Sequence, residues 1–148
     1  KIPIFYSANM SLGINLLLSL VAKTAAVLNE EFDIEIIEKH HNKKIDAPSG
    51  TAYMIADKIN EEFDNNKVYT FGRHTKTNRR SPNEIGIHAI RGGTIVGEHS
   101  VIFAGLDETI EIEHRATSKN VFAKGALEAA KFIVNKNNGL YNMDDLIK

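Results

Sequence analysis

Cysteine is absent from this chain, and proline occurs only 3 times in 148 residues. Without a thiol there is no disulfide framework, no thiolate nucleophile and no cysteine-ligated metal, a composition that fits a reducing, cytoplasmic setting. An excess of either charge is also missing. The chain has 18 lysines and arginines against 19 aspartates and glutamates, interleaved, for a formal net charge of −1. The general electrostatic drive toward nucleic acid or an anionic membrane surface is therefore lacking, and neither is expected as a partner. The longest apolar run, residues 14–22, is interrupted by Asn15 and Ser19 and falls short of a membrane span, and no secretory signal is seen. Neither GxGxxG nor GxxxxGK(S/T) occurs, so no complete nucleotide site is expected within this chain. The 6 histidines never recur at the two- or four-residue spacing of shared metal ligands, which argues against a metal site.

What remains is a chain of 43% hydrophobic residues, long enough for one core and too short for two full domains. It opens on Lys1 and runs directly into Ile2, Pro3, Ile4, Phe5 and Tyr6, a strand-like segment with nothing before it, and so reads as a piece of a longer protein. Apolar residues at Ile14, Leu17, Leu18, Val21, Ala25 and Leu28 recur at helical spacing and predict a helix over residues 11–29. A strand is predicted over 33–39 and a second helix over 49–63, with Ala52, Ile55, Ala56 and Ile59 as its apolar stripe. Residues 64–84 form a long polar connection with a basic cluster from Arg73 to Arg80, more simply an exposed loop than a phosphate site.

Three further strands are expected at 85–91, 94–104 and 108–116, joined by Gly92-Gly93 and Gly105-Leu106-Asp107, both suited to tight hairpins. A third helix over 120–135 would turn Phe122, Ala126, Ala129, Ala130 and Ile133 inward. The expected fold is α+β: one mixed, largely antiparallel four-stranded sheet, three of its strands forming a meander, with helices packed on one face.

The chemistry concentrates in residues 35–52, EIIEKHHNKKIDAPSGTA. A strand there delivers ionisable side chains straight to a helix start, bringing a general acid, a cation and free backbone N–H groups together, as suits a small dianion. His40 and His41 are adjacent, so on an extended backbone they point to opposite sides and only one can be central. Lys44 follows on the loop, Asp46 can orient a lysine or cap the turn, and Pro48 fixes the approach to the helix. Ser49, Gly50 and Thr51 provide a small residue, an uncovered backbone and a hydroxyl where a carboxylate or phosphate could approach, although Ser or Thr also caps many ordinary helices. His99 shares a strand face with Ile95, Val101 and Phe103, which favours a core or interface histidine; His88 and His114 read the same way.

These residues resemble the signature of the dihydrodipicolinate reductase family, whose activity is also called 4-hydroxy-tetrahydrodipicolinate reductase. The resemblance extends to Ala8 through Asn15, Ile85-Gly86, Arg91-Gly92-Gly93, Val96 through His99, Glu108, His114-Arg115-Ala116 and Phe122 through Leu127. It departs at Met10, where the family often has Phe, and at Lys119, where it usually has Arg, exchanging a fork-shaped cation for a point charge. The resemblance implies that residues 1–148 are a C-terminal substrate-binding and oligomerisation domain, with 1–10 and 140–148 as junctions to a Rossmann half absent from this chain.

By the same resemblance, NADPH or NADH reduces a cyclic dicarboxylate in lysine and diaminopimelate biosynthesis. His40 and Lys44 are then the acid/base pair, and His41, Ser49, Gly50 and Thr51 bind substrate carboxylates. Ser7, Ala8, Asn9 and Met10 meet the nicotinamide end of a cofactor held mainly by the missing half. A homotetramer built through the sheet is also implied, and the isolated chain is expected to be inactive as a reductase. The alternative is an anion-binding or purely oligomerising module.

Overall fold

The computed structural model describes residues 1–147, whose contacts divide into two units. One consists of Lys1–Leu17 with the stretch that begins at Ser118; the other is Leu18–Thr117. Helix α1, Leu12–Leu28, runs from the first into the second.

In the larger unit the elements follow as β2 (Asp33–His40), α2 (Gly50–Glu61), β3 (Val68–Phe71), β4 (Glu84–Arg91), β5 (Gly97–Ala104) and β6 (Thr109–Ala116). They form a five-stranded sheet in the order β3-β4-β2-β5-β6. The sheet is mixed as expected, with an added strand, β3, inside the long polar connection. Two pairings, β3 with β4 and β4 with β2, are parallel, whereas β2 with β5 and β5 with β6 are antiparallel.

The expected meander is corrected here. Gly105 N donates to Glu108 O at 2.9 Å and closes the β5–β6 hairpin as read from the sequence. Gly92-Gly93 is no hairpin, because β4 and β5 lie on opposite sides of β2 and the link must cross the end of that strand. Local alternation specifies which face of a strand is buried but not which neighbour it pairs with, so the crossing was invisible in the pattern.

Register puts Ile34, Ile36 and Glu38 of β2 on one face with Ile85 and Ile87 of β4 and with His99, Val101 and Phe103 of β5. The apolar members of that set are at most 1% exposed, as are Ala52, Ile55, Ala56 and Ile59 of α2 and Val21 and Ala25 of α1. Each isoleucine so buried contributes about 1.5–3 kcal/mol by leaving water. The opposite face carries Glu35, Ile37, Lys39, His88, Glu98, Ile102 and Glu111, and no helix of this unit covers it.

Helix α1 with its following turn, Leu12–Glu31, is long and apolar enough to cross a membrane by length and composition alone. That corrects the shorter run read from the sequence. Its apolar positions Ile14, Leu18, Val21, Ala22 and Ala25 are buried within the protein.

The smaller unit contains β1 (Ile4–Phe5), α3 (Asn120–Ile133), β7 (Leu140–Tyr141) and α4 (Met143–Ile147). β1 and β7 pair in parallel, and Phe132 of α3 meets Phe5 and Tyr141 edge-on, with ring centres 6.1 and 5.8 Å apart. Gly125 lets α3 lie against the chain at Met10, because a Cβ there would fall 1.7 Å from the Met10 carbonyl oxygen. Only Gly125 and Ala129 of α3 are buried. The expected inward residues Phe122, Ala126 and Ala130 are exposed, since nothing among the described residues covers that part of the apolar stripe read from the sequence.

Candidate active site

Residues two apart on a strand share a face, so β2 carries Glu38 and His40 to the same end of the covered face. The Gly92-Gly93 link then wraps over that end. Gly92 N donates to His40 O at 2.9 Å, and Asn42 N donates to Gly93 O at 3.2 Å. Gly93 has φ 48°, a left-handed conformation that glycine adopts without steric cost. This crossing sets Arg91, the last residue of β4, opposite His40 in the parallel register.

Glu38 is the centre of the arrangement, with a side chain 0% exposed. Arg91 holds it with a fork, Nη1 donating to Oε2 at 2.8 Å and Nη2 to Oε1 at 2.7 Å. His40 Nδ1 lies 2.6 Å from Oε2, and Ser49 N donates to Oε1 at 2.9 Å. Burial pushes the Glu38 carboxyl up, but the bonds from Arg91, His40 and Ser49 more than offset it, and the group is held below the usual carboxylate range. One buried anion thus joins the end of β2, the end of β4 and the start of α2. Arg91 Nη2 also donates to Asp46 O at 2.7 Å and fixes the intervening loop, which contains a cis Ala47-Pro48 bond.

Ser49 caps α2: its Oγ accepts from Ala52 N at 3.2 Å and lies 3.0 Å from His99 Nε2. With its amide given to Glu38 and only 3% of the residue exposed, Ser49 acts here on the helix start itself. Gly50, the first residue of α2, is exposed, and a Cβ there would meet nothing within 4 Å, so the backbone at the N-terminus of α2 is open to a ligand. Thr51 is half-buried beside it.

His40 is half-buried; its ring meets the His99 ring edge-on with centres 5.3 Å apart, and a Cβ on Gly97 would lie 3.2 Å from its Nε2. Burial, followed by the repulsion of His40, pushes His99 down to about 4, so it is neutral near pH 7. Lys44 Nζ donates to both carboxylate oxygens of the exposed Asp46 at 2.7 Å, and this bond holds the Asp46 carboxyl below its ordinary value. His41 stands half-buried just past β2, its carbonyl accepting from Lys44 N at 3.1 Å.

Structure therefore ties His40 and Ser49 directly to one carboxylate, links the Lys44 loop to it through Asp46 and Arg91, and leaves Gly50 accessible. Glu38, Arg91 and His99 were missed as site residues. A signal for Glu38 was present, since it continues the inward parity of Ile34 and Ile36, where a charge demands a partner. His99 was read correctly as a core histidine, but its bond to the helix cap was not foreseeable from its strand.

Ser7, Ala8, Asn9 and Met10 lie in the smaller unit. Ser7 Oγ donates to Asn9 O at 2.8 Å, Asn9 Oδ1 accepts from Ser11 N at 2.9 Å, and Asn15 Nδ2 donates to Asn9 O at 2.8 Å. These bonds fold the segment into a fixed turn with Asn9 buried, Ala8 exposed and Met10 half-buried.

The family described as "Dihydrodipicolinate reductase, C-terminus" matches residues 13–147. The chain is 65% identical, over its whole length, to a 4-hydroxy-tetrahydrodipicolinate reductase of Caldanaerobacter subterraneus subsp. tengcongensis, covering 59% of that protein. It is 56% identical over 99% of its length to a protein of the same name from Clostridium novyi, covering 58% of it. It thus spans a little under three-fifths of these relatives. Among solved structures, dipicolinate-bound dihydrodipicolinate reductase from Paenisporosarcina sp. TG-14 shares the fold, with a TM-score of 0.68 at 24% identity, over 93% of this chain and 52% of the other. A match running from Gly13 almost to the last residue, together with relatives this similar along the entire sequence, establishes that the chain belongs to the dihydrodipicolinate reductase family.

Proposed function

We propose that residues 1–148 form the substrate-binding, catalytic and oligomerisation domain of an NAD(P)H-dependent 4-hydroxy-tetrahydrodipicolinate reductase. The enzyme would reduce a cyclic dicarboxylate in lysine and diaminopimelate biosynthesis, as a cytoplasmic homotetramer assembled through the uncovered sheet face. Segments 1–10 and 140–148 serve as junctions to an N-terminal dinucleotide-binding domain; residue 148 lies outside the described residues. The observation that carries this reading is the double attachment of Glu38, to His40 and to the capping residue of α2, which holds a proton donor and an anion-binding helix start in one rigid assembly.

The cofactor, NADPH or NADH, supplies the hydride. The residues present fit only its nicotinamide end. The fixed turn at Ser7–Met10 presents Ala8 and Met10, while the Asn9 side-chain carbonyl is spent on that turn. Hydride addition to an unsaturated ring leaves an enamine-like electron pair that must take up one proton. His40 donates that proton, and Lys44 provides a cation against the substrate's negative charge and shares the acid/base work. The amides at the start of α2, with Gly50 and Thr51, hold a carboxylate, and His41 contributes from the end of β2. Ser49 serves substrate binding by setting the helix start.

Pyridine-2,6-dicarboxylate is the test ligand. Titrated into the chain, it should shift the NMR signals of His40, His41 and Thr51, while no shift at millimolar ligand would leave only the assembly role. In the full-length protein Lys44→Ala should lose turnover by about 10²–10⁴-fold with cofactor affinity little changed. Near-normal turnover would remove Lys44 from the reaction. The chain alone should oxidise no NAD(P)H in the presence of substrate.

A further inference from the structure

We infer that Glu38 is the positioning residue of the site: through its buried carboxylate it fixes His40 as the Nδ1–H tautomer and so assigns proton transfer to Nε2. The consequence for turnover rests on the reductase reading above, whereas the tautomer itself does not.

Hydrogen-bond roles at Glu38 leave one solution. Its carboxylate can only accept. Arg91 supplies two N–H donors and the Ser49 amide a third, and none of these can become an acceptor. His40 Nδ1, 2.6 Å from Oε2, must also be a donor, because a bare ring nitrogen facing a carboxylate oxygen at that distance would set two lone pairs against each other. With Nδ1 committed, Nε2 is the nitrogen left to give a proton to a substrate and, once it has done so, to remain bare. The Glu38 carboxylate accepts from Nδ1–H both before and after transfer, so the imidazole need not rotate during turnover.

Arg91 neutralises the carboxylate. Without that fork a fully buried anion beside the helix start would compete with the substrate's own negative charges for the same donors. Gly97 completes the arrangement, since a Cβ there would come within 3.2 Å of Nε2.

The substitution Glu38→Gln gives a directional forecast. An amide must place its NH2 at one of the two oxygen positions. At Oε1 it would face only donors, from Ser49 and Arg91, and at Oε2 it would face Arg91 and His40. Only His40 can change role, by moving its proton to Nε2 and accepting through Nδ1. The variant should therefore invert the tautomer while keeping the ring in place.

Long-range ¹H–¹⁵N spectra of the His40 ring, recorded where the imidazole is neutral, read this directly. The unmodified chain should show the Nδ1–H form and Glu38→Gln the Nε2–H form. In the full-length enzyme Glu38→Gln should lower kcat by about 10²-fold, the scale of lost general acid catalysis, with KM for the dicarboxylate within about 3-fold. A merely structural role would move KM and stability together and leave the tautomer alone.

A predominant Nε2–H tautomer in the unmodified chain overturns the inference, and that measurement needs no variant to fold. So does a Glu38→Gln enzyme with kcat within 2-fold of the parent. An Nδ1–H ring in a full-length protein without reductase activity would instead overturn the functional reading and leave the positioning by Glu38 standing.

Discussion

Two glutamates on the same strand, Glu35 and Glu38, collect the same kinds of partner on opposite faces of the sheet and serve different ends. Glu38 faces the helices, fully buried, and is held by Arg91, His40 and the Ser49 amide. Glu35 faces outward with 20% of its side chain exposed. Arg73 donates to it at 2.6 Å and Arg80 at 3.0 Å, and His88 Nε2 lies 2.7 Å away. Both carboxyls are raised by burial and brought below their usual range by these bonds.

The difference lies in where the cations come from. Arg91 sits at a strand end next to the helix start, so its pairing builds a pocket wall. Arg73 and Arg80 come from the long connection, and their further bonds to Glu84 and Asp33 pin that loop onto the uncovered face. The basic cluster that reads as an exposed loop in sequence is largely exposed, yet Arg73 and Arg80 tie it to the sheet. Burial and topology, not composition, separate a site from a brace.

Removing a cation from each glutamate should expose this contrast most strongly. Arg91→Met leaves a buried carboxylate without its guanidinium, held only by His40 and the Ser49 amide, and should cost about 3–5 kcal/mol in urea unfolding. A loss below about 1 kcal/mol would erase the distinction between the faces.

Next in size is a pH effect confined to the covered face. His99 is depressed from 6.5 to about 4, so the unfolded chain binds its proton first as pH falls. Its contribution is complete above about 6.5 and drains away toward about 4, a loss on the order of 3 kcal/mol that His99→Leu should flatten. Equal slopes for parent and variant between pH 4 and 6.5 would contradict this. Below that window Glu38 and Glu35 follow. Their stabilisation is present above the ordinary carboxylate value and is lost as pH falls through their lowered ones.

A smaller effect is expected at the outer clamp. Arg80→Gln should cost about 1–2 kcal/mol and open residues 72–83 to limited proteolysis, because partly exposed pairs are worth less than buried ones. Unchanged proteolysis would show that the loop is held otherwise.

Two glycines sharpen the comparison at its lower end. A Cβ on Gly86 would fall 1.8 Å from Glu35 Oε2, while one on Gly97 would lie 3.2 Å from His40 Nε2. Gly86→Ala should disrupt the outer clamp and lower stability by about 1 kcal/mol. Gly97→Ala should change stability by less than about 0.5 kcal/mol, yet reduce turnover of the full-length enzyme by displacing the imidazole.

Much of this was legible from the residues. Helical spacing gave α1, α2 and α3 to within a few positions, because amphipathic periodicity is a local property. The segment holding His40, Lys44, Ser49 and Gly50 stood out, since ionisable groups rarely lead straight into a helix start. Strand β3 escaped because four residues in a polar stretch carry too little alternation to register. The crossing at Gly92-Gly93 escaped because glycine pairs suit hairpins and crossings alike. Glu38 was passed over in favour of its histidine neighbours, although its inward parity was plain.

By itself the sequence determined the inward stripe of α2, where the helices begin, and that a histidine, a lysine and an amide-rich helix start stand within a dozen residues of one another. Only the tertiary structure decided that β4 pairs in parallel beside β2, so that Arg91 arrives from 53 positions away to neutralise Glu38. Periodicity is written into neighbouring residues, whereas strand partnership is a contest among distant segments for the same backbone donors and acceptors, settled when the whole core packs.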